Sequence, residues 1–372
     1  MKIKEFGVET WINNYEKDCK YNLSGTCVGI LSVEDLIKMT DDFEKILAQI
    51  LDIELGYGEV YGSLKLRNNI ASLYETAEYQ NISIAHGAIG ANSLAYLTLI
   101  ESGDEIVSVL PVYEQHYSIP ESINAKVKKI FLKEENGWQI DLNELENSVT
   151  KRTKMICLNN PNNPTGALID DEILDAIVEI ARKNDAYILC DEVYRGLSHH
   201  GNPFSRSIFD IYEKGISTGS LSKTFSLPGL RLGWIAAPYE VIRKINVQRD
   251  YHVICVGRIN DYLASIALEN KDRIIKNNLS ICKKHLEMLD DWVNSEPGIT
   301  YVKPKAGTTA FLKYDMNLPS KDLCLKLQNE TGVMFLPGEV MEVENHLRMG
   351  YTGDYKTTQK ALEIFSDWLK VN

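Results

Sequence analysis

From about residue 80 to 235, short apolar runs alternate with amphipathic stretches, and this rhythm limits the possible folds more than any other feature of the chain. EIVSVL at 105–110, KVKKIFL at 126–132, KMICL at 154–158 and AYILC at 186–190 read as buried strands. Between the last two, DDEILDAIVEIARKND sets Ile173, Ile177 and Ile180 at helical spacing. Acids open that stretch and Arg182 and Lys183 close it, as a helix dipole favours. The pattern predicts an α/β fold in which a doubly wound, mostly parallel sheet lies between crossover helices.

A chain of 372 residues is too long for one core of typical size, so two domains are expected. After residue 255 the pattern changes to a long helical stretch, INDYLASIALENKDRIIKNNLSICKKHLEMLDDWVNS. Strand-like YVKPKAGTTAFLKY and amphipathic TTQKALEIFSDWLKV follow, predicting a second α/β unit. The net charge of −12, without any long run of Lys or Arg, argues against nucleic acid as a partner. The N-terminus lacks the apolar core of a signal peptide, and no apolar run has the length of a membrane span, so no membrane partner and a cytoplasmic location are expected. Seven scattered cysteines with no CxxC pair are expected to be buried free thiols. His199 and His200 are adjacent, point apart and lack a carboxylate at ligand spacing, so no metal is expected and both are read as solvated loop residues.

The chemistry concentrates in SLSKTFSLPGLRLGW, residues 220–234, which places Lys223 among small hydroxyl residues and Arg231 eight positions later. Serines and a guanidinium suit a phosphate dianion, and a lysine beside them can reach an aldehyde on the same ligand. Upstream, NNPNNPTG at 159–166 leaves the strand KMICL, and DEVYRG at 191–196 leaves AYILC. Both loops start where ligands of open α/β sheets bind. Asp191, at the end of a buried strand, needs a cationic partner such as a protonated pyridine nitrogen.

In their order and spacing, NNPNNPTG, DEVYRG and SLSKTFSLPGLRLGW resemble the three signature segments of the class I/II aminotransferases, fold-type I enzymes that use pyridoxal 5′-phosphate (PLP). The resemblance implies a large PLP-binding domain over residues 46–270 and a smaller α/β domain built from both chain ends, 1–45 and 271–372. It also implies roles. Lys223 would hold PLP as a Schiff base and shuttle a proton at the substrate Cα, and Asp191 would pair with the pyridine nitrogen. Asn163 and Tyr194 would hydrogen-bond the phenolic oxygen, with Asn163 also touching substrate. Ser220, Ser222 and Arg231 would bind the phosphate, joined by the backbone amides of Gly90, Ala91 and Asn92 at the start of a helix in HGAIGANSLAYLTLI.

Tyr113 aligns with the aromatic residue that stacks on the cofactor, with Tyr117 as a competitor. Tyr57 stands where relatives send a tyrosine across a dimer interface to the partner's phosphate, which implies a homodimer with shared active sites. Arg348, in HLRMG, matches the arginine that clamps the substrate α-carboxylate. The N-terminal loop NLSGTCVGILSVEDL departs from the usual pattern and brings Thr26, Cys27 and Gly29 toward the substrate pocket. Cys255, Val256 and Gly257 stand where many relatives carry a phosphate-reaching Ser or Thr. The implied reaction moves an amino group from an L-amino acid to a 2-oxo acid. Elimination, replacement or cyclisation on the same lysine is the alternative, and a non-catalytic ligand-binding module is a third reading.

Overall fold

The computed structural model describes residues 2–372. Eight strands are arranged about the predicted rhythm: β1 Tyr21–Asn22, β2 Ile82–Ala85, β3 Glu105–Leu110, β4 Lys126–Phe131, β5 Thr153–Asn159, β6 Tyr187–Asp191, β7 Gly215–Ser220 and β8 Gly233–Ala236. All but β1 form a seven-stranded sheet in the order β2-β8-β7-β6-β5-β3-β4. Its neighbours are parallel except at β8, which runs against both β2 and β7.

Period-two alternation explains how the sheet is buried on both sides. Ile156 and Leu158 of β5 face one core with Ile188 and Cys190 of β6, whereas Met155, Cys157 and Leu189 face the other. On the first side lies the helix Asp171–Asn184, which buries Leu174, Ile177, Val178 and Ala181 and leaves Ile173 and Ile180 at its margin. Its final turn closes on Asp185 in a left-handed conformation. The helix Gly87–Leu99 covers the second side with Ala91, Leu94, Ala95 and Tyr96.

The second unit carries β9 Ile299–Tyr301, β10 Thr309–Tyr314, β11 Val333–Met334, β12 Leu336–Pro337 and β13 His346–Gly350. Four of these form an antiparallel sheet, β12-β13-β10-β9, while β11 pairs with β1 from the N-terminal segment. The predicted long helix is two helices, Arg258–Glu269 and Lys271–Ser295, meeting at Asn270. The expected boundary at 270/271 falls at that junction, and the one at 45/46 falls inside the helix Phe43–Leu51. Leu36, from the segment assigned to the small domain, packs with Leu66, Ile70 and Leu263 beside the large sheet.

Two expectations need correction. His199 is not solvated: it is buried and its ring nitrogens lie 3.2 Å from the Pro304 carbonyl and 3.0 Å from that of Gly307. Four cysteines are buried, but Cys19, Cys27 and Cys255 are half-buried, and all seven are unpaired. Among the described residues, no helix is long and apolar enough to cross a membrane, and no cluster of His, Cys, Asp or Glu could hold a metal ion.

Candidate active site

The sheet assembles a cavity of about 420 Å³ at one edge. β5, β6 and β7 end there at Asn159, Asp191 and Ser220. Because β8 is antiparallel, its first residue, Gly233, lies opposite both Ser220 and Ala85. Arg231, two residues earlier, therefore reaches the same edge as the helix that follows β2.

That helix begins at Gly87, so its first amides, Gly87 to Ile89, lack intrahelical acceptors. A side chain on Gly87 would come within 2.6 Å of the Arg231 guanidinium, and Gly87 takes a φ of +68°. A side chain on Gly233 would strike the Gly87 carbonyl carbon at 2.3 Å. Glycine at both positions lets a helix N-terminus, a guanidinium and the hydroxyls of Ser220 and Ser222 border one space, an arrangement suited to a phosphate. Gly90, Ala91 and Asn92, expected to form the phosphate cup at the helix start, lie one turn beyond the first residue of this helix. The Gly90 amide already donates to His86 at 3.3 Å, Ala91 is buried in the core, and Ala88 and Ile89 border the cavity instead.

Asn92 does something else. Its amide donates to the Asp191 carboxylate at 2.8 Å, and its oxygen accepts from the Thr218 hydroxyl at 2.6 Å. The second Asp191 oxygen accepts from the Val193 amide at 3.0 Å. The buried His116 ring nitrogen lies 3.6 Å from the carboxylate, and its other nitrogen is 2.8 Å from the Tyr96 hydroxyl. Burial holds the Tyr96 hydroxyl well above its ordinary pKa, so it stays protonated. Asn92 thus fixes Asp191 from behind, with the Tyr96-bonded His116 ring packed beside the carboxylate; of these four residues only Asp191 and Asn92 border the cavity. His116 and Tyr96 carried no sequence signal beyond sitting near Tyr113 and in a helical stretch.

Lys223 enters the cavity from the loop after β7, and its amine donates to Thr26 at 2.6 Å with the Cys27 sulfur 3.5 Å away. Nearby, three polar atoms lack protein partners: Asn163 Oδ1, the Tyr194 hydroxyl and Arg348 Nε. These residues are 8%, 2% and 2% exposed, and all three border the cavity. Leaving such groups unpaired is costly, so they mark where a ligand supplies partners. Arg348 also donates to the Ser24 carbonyl at 2.8 Å, and burial lowers its pKa against the opposing pull of Tyr194, Tyr113 and Glu9.

Tyr113 borders the cavity and donates its hydroxyl to Glu9, with its ring 4.5 Å from Phe6. Burial, then the Glu9 contact, raises its pKa. Tyr117 points elsewhere, beneath the Lys129 ammonium at 3.9 Å. Gly29 and Tyr57, like Gly90 and Ala91, stand apart from the cavity. Gly29 faces Ile281 and Asn278, because the N-terminal loop docks along β13 earlier, where the Gly350 amide donates to Leu23 at 2.7 Å; Ser24, Gly25 and Thr26 line the space instead. Tyr57 is 82% exposed and borders a separate surface recess with Arg258 and Asp261.

A phosphate cradle, a lysine, a buried acid and unpartnered hydrogen-bonding groups in one cavity fit a phosphorylated pyridine aldehyde. Comparisons with known proteins point the same way. The family described as aminotransferase class I and II matches residues 27–365. A PLP-dependent aminotransferase from Streptococcus suis 89-1591 has a similar solved structure, with a TM-score of 0.96 and 39% identity over 100% of this chain and 99% of that one. An aspartate aminotransferase of Sulfurisphaera tokodaii is 31% identical, covering 84% of this chain and 83% of its own. Capreomycidine synthase of Streptomyces vinaceus is 28% identical over 84% of this chain and 80% of its own.

Proposed function

This chain belongs to the class I and II aminotransferase family, and from that premise we propose that it is a PLP-dependent aminotransferase acting on an L-amino acid and a 2-oxo acid, with Lys223 as the residue that carries the cofactor. The observation that carries the reading is the grouping of unpartnered Asn163, Tyr194 and Arg348 atoms around the Lys223 cavity. PLP supplies, when bound, a conjugated ring that stabilises negative charge at the substrate Cα.

The chain's own residues do the rest. Arg231, Ser220, Ser222 and the amides of Gly87 to Ile89 would hold the phosphate. Asp191, kept in place by the Asn92 side chain and the Val193 amide, would hold a proton on the pyridine nitrogen. Tyr194 and Asn163 would bond the phenolic oxygen. Arg348 would take the substrate carboxylate through its free Nε and orient the Cα bonds. The Lys223 amine would move the proton at Cα, and Thr26 offers it a resting partner in the meantime.

The exposed side chains of Leu51, Leu55, Tyr57, Tyr251 and Ile254 support a homodimer in which a second copy covers this face and Tyr57 reaches the partner's phosphate site. Seven unpaired cysteines suit the reducing cytoplasm.

The test is a product balance. PLP-loaded protein given one L-amino acid should release one equivalent of 2-oxo acid per site and continue only when a second 2-oxo acid is added. Continuous ammonia release without an acceptor would replace this reading with elimination, and an amino acid product that keeps its nitrogen, formed without any 2-oxo acid, would replace it with cyclisation or replacement.

A further inference from the structure

The cavity around Lys223 carries more charge than the proposed reaction uses. Its charged lining residues are Glu9, Glu16, Asp191, Lys223, Arg231 and Arg348. The last four have tasks above. The remaining two are both carboxylates, and both come from the helix Gly7–Tyr15 and the turn that continues it.

Val8, Glu9, Ile12 and Glu16 all border the cavity, and their spacing places them along one helical face. Val8 is buried and Ile12 half-buried, which gives that wall an aliphatic stretch. Glu9 is half-buried and accepts from Tyr113, and its charge acts on Arg348. Glu16 lies farther out at an exposed rim, held by the Asn22 amide at 2.9 Å. The unpartnered Arg348 Nε, in a residue 2% exposed, independently marks the cavity that Glu9 borders as a ligand site.

We propose that the amino donor is an L-amino acid whose side chain is a methylene chain ending in a cation, an ammonium or a guanidinium. The proposal rests on the aminotransferase reading and names its substrate class. With the α-carboxylate at Arg348, the methylenes run along Val8 and Ile12 and the cation meets Glu9, with Glu16 at the mouth. An aliphatic stem with a charged tip matches an aliphatic wall with an acidic end. A side-chain carboxylate would instead face two acids, with no uncommitted cation among the described residues that border the cavity.

Binding without turnover tests this. Calorimetry on the PLP-loaded protein would compare hexanoate, 6-aminohexanoate and adipate, which share a chain and a carboxylate and differ in the charge at the far end. The expected order is 6-aminohexanoate about five- to tenfold tighter than hexanoate, the scale of a partly screened ion pair, with adipate weakest. In Glu9→Gln the ratio of 6-aminohexanoate to hexanoate affinity should fall toward one. Adipate binding tightest would overturn the proposal and assign the far end to a cation from a second subunit. Equal affinities, or a preference that Glu9→Gln and Glu16→Gln both leave intact, would also overturn it. If the order holds but no amino acid yields a 2-oxo acid, it is the aminotransferase reading that fails.

Discussion

Replacing Asn92 with alanine should cost about 3–5 kcal/mol of stability, because one side chain serves two buried partners. Its amide donates to Asp191 at 2.8 Å, and a hydrogen bond to a charged group contributes about 1.5–3 kcal/mol. Its oxygen accepts from Thr218 at 2.6 Å, and stranding that fully buried hydroxyl adds about 1–3 kcal/mol. Thr218→Val removes the donor and leaves the Asn92 oxygen unpaired, a cost of about 1–3 kcal/mol. In the double variant neither group is stranded by the other, so its cost should fall short of the sum by about 1–2 kcal/mol. Urea titrations read by tryptophan fluorescence would measure the cycle, with Trp234 on β8 of the same sheet. A loss below about 0.5 kcal/mol for Asn92→Ala, within the range of surface substitutions, or strict additivity, would show that Asn92 does not bridge the two buried groups.

Other consequences follow from the same structure. Burial pushes the pKa values of His199, His285 and His346 below the ordinary imidazole value. The unfolded chain therefore takes up these protons first. The stability these groups contribute is full above about pH 6.5 and is lost as the pH falls through the lower folded values. Urea midpoints should decline on acidification below about pH 6.5, and His199→Gln should flatten part of the decline; a midpoint that rises would contradict the assignment. Gly233→Ala puts a carbon 2.3 Å from the Gly87 backbone, so it should cost about 1–3 kcal/mol and weaken PLP binding about tenfold. Gly229→Ala, with open space around it, is the control for the same loop. Equal PLP affinities in a fluorescence titration of the two variants would remove Gly233 from the phosphate cradle.

The parts of the fold legible in the sequence are those that bury apolar residues in regular alternation. β5 and β6 could be read because both of their faces are apolar. β7 could not, because GISTGS is rich in hydroxyls. Those hydroxyls are satisfied by groups distant in the chain: Ser217 by Glu192 at 2.8 Å and Thr218 by Asn92. The loops around Lys223, Asp191 and Asn163 were legible through their Pro, Gly and charged residues. The helix start was not, since HGAIG contains two glycines and only the approach of Gly233 and Arg231 distinguishes Gly87 from Gly90. Glu9 was hidden for a related reason. A glutamate in an amphipathic N-terminal helix looks ordinary until Trp11 donates to the Phe335 carbonyl at 3.0 Å and ties that helix to the second unit beside Arg348.

Chemical trapping shows which lysine carries the cofactor. Protein loaded with PLP would be treated with borohydride, which fixes an imine as a stable amine, then digested with trypsin and mapped by mass spectrometry. With Lys223 as the carrier, a single modified peptide is expected, spanning residues 215–231 and uncut after Lys223. Modification at another lysine, with the unmodified peptide 215–223 recovered in full, would contradict it.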